Sequence, residues 1–98
     1  MYAIALLRYR RPLEEVLTLL DAHRAYLREL KQRGVLLASG PLDPWTGGAL
    51  LLRVPDAAIQ VTLDRIRDED PYTRAGLAQY EVWPWKPVVG KEELDALK

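Results

Sequence analysis

The sequence predicts an α+β fold, four antiparallel strands with two helices on one face, and three observations carry that prediction. Four short runs are rich in apolar, β-branched or aromatic residues. Two longer segments repeat apolar residues at helical spacing. Proline, glycine and aspartate mark most of the changes from one pattern to the other.

Residues 2–9, "YAIALLRY", read as the first strand. "RRPLEE" then opens a helix: Pro12 suits a first turn, and Glu14 and Glu15 favour its positive end. Leu13, Val16, Leu17, Leu20, Leu27 and Leu30 keep helical spacing up to Gly34, a good stop residue. Residues 35–42, "VLLASGPL", are a second strand, ended by turn-rich "GPLDPWTGG"; residues 49–54, "ALLLRV", are a third, so the two form a hairpin with a long loop. Asp56 after Pro55 is a natural N-cap for a second helix with the stripe Ile59, Leu63, Ile66. After Pro71 comes a loop, then the fourth strand, 78–85, "AQYEVWPW". The chain reads as one domain, 1–98, with 88–98 as a tail that is helical in "GKEELDALK".

The order β-α-β-β-α-β is the ferredoxin-like split unit, with both helices on one sheet face. The other face poses a problem. In the third strand Ala49 and Leu51 point one way and Leu50, Leu52 and Val54 the other; in the first, Ala3, Ala5 and Leu7 oppose Ile4 and Leu6. A sheet with one wet face alternates polar with apolar, and these strands do not. No chain remains to cover the second face, so a homodimer joined through it is expected.

Composition bounds the function. Fourteen basic and fourteen acidic side chains cancel, which leaves no footprint for nucleic acid or an anionic membrane. The absence of cysteine removes disulfides, thiolate catalysis and cysteine metal sites, and fits a cytoplasmic protein. The opening apolar run is too short for a membrane span and reads as a strand rather than a signal peptide. A lack of asparagine beside abundant Leu, Arg and Glu leans towards a thermophile. Acylphosphatase chemistry on this topology needs an asparagine, and RNA binding needs exposed stacking rings on the central strands; neither is present.

Two polar residues interrupt the apolar stripes. The first helix runs Val16, Leu20, His23, Leu27, Leu30 at spacings of 4, 3, 4 and 3, so its single histidine lies mid-seam. The second runs Ile59, Leu63, Ile66, Asp70 at 4, 3 and 4, and Asp70 continues the stripe if the helix reaches it, whereas Asp68 and Glu69 fall towards solvent. Carboxylates at a helix C-terminus are disfavoured, so an acid there calls for a reason. An inward imidazole and an inward carboxylate are each costly alone and tolerable as a pair, and such a pair makes a general acid–base device. Plain packing of His23, and Asp70 capping the turn at Pro71, remain alternatives.

"HRAYLRELKQRGVLLASGPL" (23–42), "GGALLLRV" and "DPYTRAGL" (70–77) leading into "YEVWPW" resemble, in order and spacing, the YciI-like (YCII-related) proteins of the dimeric α/β-barrel superfamily. The resemblance implies pairing of two ferredoxin-like units into a barrel and a His–Asp dyad at His23 and Asp70. Relatives in the superfamily include muconolactone isomerases and dehydrochlorinating enzymes. The resemblance therefore implies a lyase, isomerase or hydrolase acting by acid–base chemistry on small oxygenated or ring-derived organic acids. The alternative is a non-catalytic ligand-binding or regulatory module of the same fold. The loop 43–48, "DPWTGG", is this chain's own and is placed to set substrate choice.

Ser39, Gly40 and Pro41 end the second strand and can hydrogen-bond a substrate carboxylate or carbonyl, a turn being the plainer reading. Tyr26, one turn from His23, and Tyr72, in the Asp-Pro motif, can donate to a substrate oxygen or simply pack; the same holds for Tyr80. Trp83 and Trp85 share one face of the last strand with Glu81. Arg8 and Arg53 are anion anchors or strand-end arginines reaching water. No metal and no cofactor is expected: the carboxylates of "DRIRDED" fall on several sides of a helix, and one histidine without cysteine disfavours zinc. Haem held by His23 gains little support.

Overall fold

The computed structural model describes residues 1–97; Lys98, the end of the expected tail, lies outside the described residues. Four strands, β1 (Tyr2–Tyr9), β2 (Leu36–Pro41), β3 (Gly47–Arg53) and β4 (Ala78–Trp85), form one antiparallel sheet in the order β2-β3-β1-β4. Between them lie α1 (Leu13–Leu17), α2 (Leu20–Gln32), α3 (Ile59–Glu69) and α4 (Pro71–Arg74), with α5 (Lys91–Asp95) after the last strand. This is the ferredoxin-like α+β fold that the sequence predicts.

Register explains the two apolar faces. Towards the helices, Ala3 pairs with Leu52 and Pro84, Ala5 with Leu50 and Val82, and Leu7 with Gly48 and Tyr80. Ala3, Ala5, Leu7, Leu50 and Leu52 join Val16, Leu30, Leu63, Ile66 and Tyr72 in the core. On the outer face Ile4 stands between Leu51 and Trp83, and Leu6 between Ala49 and Glu81.

Five expectations are corrected. The first helix is two helices: Thr18 and Leu19 hydrogen-bond back three residues, to Glu15 and Val16, and the Thr18 hydroxyl also takes the Glu15 carbonyl. Such back-bonding competes with the helical ladder and ends α1, leaving Leu13 and Leu17 exposed. Asp56 does not cap a helix; a 3₁₀ turn occupies Asp56–Ala58, and the Asp56 carboxylate meets the Met1 amine at 2.5 Å. The second helix stops at Glu69, and the expected loop after Pro71 is α4, because Asp70 turns extended (ψ 128°) and caps a new helical turn. The hairpin loop is shorter than expected because β3 begins at Gly47.

The fifth concerns the outer face, part of which the chain does cover. The Tyr2 hydroxyl donates to Asp95 Oδ1 (2.6 Å), and the Arg53 guanidinium to the carbonyls of Leu94 (2.5 Å) and Leu97 (3.0 Å). This lays α5 across the end of the face where Tyr2 pairs with Arg53 and Trp85. Arg53 is thereby engaged, and Arg8 pairs with Glu81 at 2.9 Å. Among the described residues no helix is long and apolar enough to cross a membrane.

Candidate active site

His23 comes from α2, which packs on β2 and α4; Asp70 is the joint between α3 and α4. The two helices anticipated as direct neighbours thus meet mainly through α4, which touches α2, α3 and β4. The Asp70 backbone is not helical, yet its side chain is fully buried. Its carboxylate receives three donors. Oδ1 accepts from the Tyr72 backbone N–H (2.9 Å) and faces His23 Nδ1 (3.0 Å), and Oδ2 accepts from the Tyr80 hydroxyl.

This answers the question of the acid at a helix end. Asp70 closes α3 but opens α4, where Pro71 needs no N–H partner and Tyr72 N–H finds the carboxylate. Pairing to His23 and capping the turn are both true of one side chain. Asp68, by contrast, is exposed and bound to Arg67, and Glu69 is exposed.

The hydrogen-bond network assigns the tautomer. A carboxylate at Nδ1 accepts, so Nδ1 carries the proton and Nε2 presents a lone pair when the ring is neutral. Among the described residues Nε2 has no hydrogen-bond partner and is not fully buried, while the side chain as a whole is 11% exposed. Nε2 is therefore the atom open to a visitor. The ring is clamped by Tyr72, whose plane lies 10° from parallel with centroids 4.0 Å apart; Tyr9 meets Tyr72 edge-on at 6.0 Å.

The phenols around Asp70 are held protonated. Burial, then the Asp70 charge and its hydrogen bond, push the Tyr80 hydroxyl far above its ordinary range, so it donates. Tyr72 is pushed up to about 12, first by burial, then by Tyr9 and Asp70, with Arg24 opposing.

His23 and Tyr72 border a cavity of about 270 Å³. Ser39, Gly40 and Pro41 supply its β2 wall, and Leu7, Leu20, Leu27 and Leu50 give apolar surface. Tyr9 and Trp45 border it as well, with the Trp45 indole N–H donating to the Tyr9 hydroxyl at 2.7 Å, so the 43–46 loop is tied to the end of β1. The size suits one substituted ring rather than a drug-sized ligand. Tyr26 is placed elsewhere: its hydroxyl donates to the Ile66 carbonyl (2.8 Å), tying α2 to α3, and it does not line the cavity.

Sequence reasoning missed Tyr80 as a partner of Asp70, and Arg24, Tyr9 and Trp45 as cavity residues. Tyr80 had a signal, since register with β1 turns it to the helix face opposite Leu7. Among the described residues no three His, Cys, Asp or Glu side chains are grouped to hold a metal ion.

The fold and the site together define a small ferredoxin-like protein with a carboxylate-oriented histidine at a ring-sized cavity. The chain belongs to the YCII-related domain family, which matches residues 2–86. Among solved structures it is similar to 5-chloro-2-hydroxyhydroquinone dehydrochlorinase (TftG) from Burkholderia phenoliruptrix AC1100, in complex with 2,5-dihydroxybenzoquinone. That likeness has a TM-score of 0.71 at 26% identity and covers 89% of this chain and 96% of the other. No curated protein sequence matches the chain.

Proposed function

We propose that the protein is a small-molecule enzyme in which His23 transfers a proton and Asp70 orients and charges it. The part of its substrate that reacts is an oxygenated, ring-derived acid or phenol, and the reaction is an elimination, isomerisation or hydrolysis. The observation that carries this reading is the combination of a buried Asp70 on His23 Nδ1 with an Nε2 at the cavity that has no partner among the described residues. A merely packed histidine needs no carboxylate behind it.

In the proposed mechanism a substrate hydroxyl or acidic C–H gives its proton to Nε2. The imidazolium so formed is stabilised by Asp70, whose other donors keep the carboxylate in place. The proton then returns to the product or leaves with a departing group; on a chlorinated hydroquinone the sum is loss of HCl. Ser39 and the backbone around Gly40 would hold the remaining substrate oxygens, and Tyr72 would fix the plane of the imidazole. The dehydrochlorinase likeness supports this class of chemistry.

The test is chloride release and quinone absorbance with 5-chloro-2-hydroxyhydroquinone and other halogenated phenols, followed by lactones. His23→Gln is expected to lower kcat/KM by about 10²–10⁴-fold, the usual share of one general base. A wild-type rate in His23→Gln would sink the reading. Binding of 2,5-dihydroxybenzoquinone without turnover of any compound would turn it into a non-catalytic ligand module. The proposal includes a second copy of the chain on the outer sheet face, supported by the apolar row Leu51–Ile4–Trp83.

A further inference from the structure

The cavity at His23 does not end at His23. A second hollow of about 260 Å³ runs between α2 and β2 and shares Arg24, Leu27 and Ser39 with the first, so the two adjoin. Leu27, Leu36, Leu37 and Ala38 give it apolar walls. Along its helix side stand Arg24, Arg28 and Lys31, spaced 4 and 3, which is one face of α2.

These three cations lack counter-charges. None has a carboxylate within ion-pair distance among the described residues. The facing strand, "LLASGP", has no charged side chain at all. Like charges one turn apart repel and weaken a helix, and α2 carries three of them beside an apolar floor. The hollow behind Tyr80 offers the contrast. It too is lined by arginines, but Arg10 is bound to Gln79, Arg11 to Glu15, and Arg67 to Asp64 and Asp68. In the α2–β2 row, by contrast, none of the three side chains has an ion-pair or hydrogen-bond partner among the described residues.

We propose that the α2–β2 furrow is a second subsite, which takes a carboxylate carried on an apolar arm of the substrate whose ring lies at His23. Arg24 stands where the two hollows join, and Arg28 and Lys31 reach the far end. Seven residues of helix span about 10 Å, and a pentamethylene arm with its terminal carboxylate covers most of that length. The inference rests on the proposed function only for where the reacting ring lies.

The test is calorimetric binding to the full chain of benzoate, 6-phenylhexanoate and the uncharged 6-phenylhexan-1-ol. 6-Phenylhexanoate is expected to bind at least about tenfold tighter than either of the others, since it alone has both arm and charge. Arg28→Glu with Lys31→Glu should lose at least about tenfold of that affinity, and Arg28→Lys with Lys31→Arg, which keeps both charges, should lose less than the reversal does. Absent binding of 6-phenylhexanoate, affinity equal to that of the alcohol, or indifference to charge reversal overturns the inference. Turnover is not read, so a failure of the His23–Asp70 mechanism would show only in the chloride assay and a failure of the furrow only here.

Discussion

At the scale of single residues, Asp70 is where helix capping, core packing and proposed chemistry coincide, and the two tyrosines beside it separate these roles. Tyr80 donates to Asp70 Oδ2, whereas the buried Tyr72 hydroxyl has no partner among the described residues. Removing one half of a buried hydrogen bond leaves the other half dehydrated, at about 1–3 kcal/mol; removing a hydroxyl that bonds nothing leaves no such debt. Tyr80→Phe is therefore expected to lower the unfolding free energy by about 1–3 kcal/mol in urea titrations, and Tyr72→Phe to leave it unchanged or raise it by up to about 1 kcal/mol. Equal losses in both variants would contradict the hydrogen-bond assignment around Asp70. At this scale His23 and Asp70 were legible because each interrupts an apolar stripe. Trp45 was legible only as a member of the 43–48 loop, and Arg24 was not, because an arginine off the stripe looks like ordinary surface until β2 is brought beside it.

At the scale of elements, stripe and punctuation located all four strands and both long helices, and local hydrogen bonds decided the rest. The break after Leu17 was hidden because Thr18 fits a helix by spacing and leaves it only by bonding back to Glu15. The turn at Pro71 was hidden because a four-residue helix has too few positions to show a period. Gly47 enters the sequence reading only as the first residue of "GGALLLRV", with no sign of why a glycine stands there. A Cβ there would lie 1.9 Å from the Leu7 carbonyl oxygen, so β1 and β3 meet at the cavity end only if the residue has no side chain. Backbone cannot swing aside as a side chain can, and overpacking of this kind costs about 1–3 kcal/mol. Gly47→Ala is expected to lower Tm by roughly 5–20 °C in a thermal melt, while Gly40→Ala, with nothing within 4 Å of its added Cβ, should shift it by only a few degrees. A melt in which Gly47→Ala behaves like Gly40→Ala would show that the strands can part at no cost.

At the scale of the whole molecule, the outer sheet face is the feature on which the proposed second copy rests. The α5 segment covers only the Tyr2–Arg53 end; beyond it the row Leu51–Ile4–Trp83 crosses three strands, with Trp83 58% exposed. An exposed indole at the edge-strand end of an apolar row is the kind of anchor that contributes strongly to an interface once buried. Glu81 lies in the next row and its partner Arg8 in the row after that, so the pair gives such a patch a polar edge. A second copy presenting the same row offers sheet against sheet without any further chain, and an interface of about 1,200–2,000 Å² would hold it at micromolar concentration. Sedimentation velocity is expected to show a dimer, and Trp83→Glu, which puts a charge in place of the most exposed member of the row, should weaken self-association at least about hundredfold while the α2–β2 furrow still binds its probe. Trp83 is the residue to change because it projects from the sheet rather than into the helical core, so loss of the dimer can be told from loss of the fold by an unaltered circular dichroism spectrum. A wild-type chain that sediments as a monomer at about 100 μM would remove the second copy from the proposal, because an interface of that size does not stay apart at such a concentration.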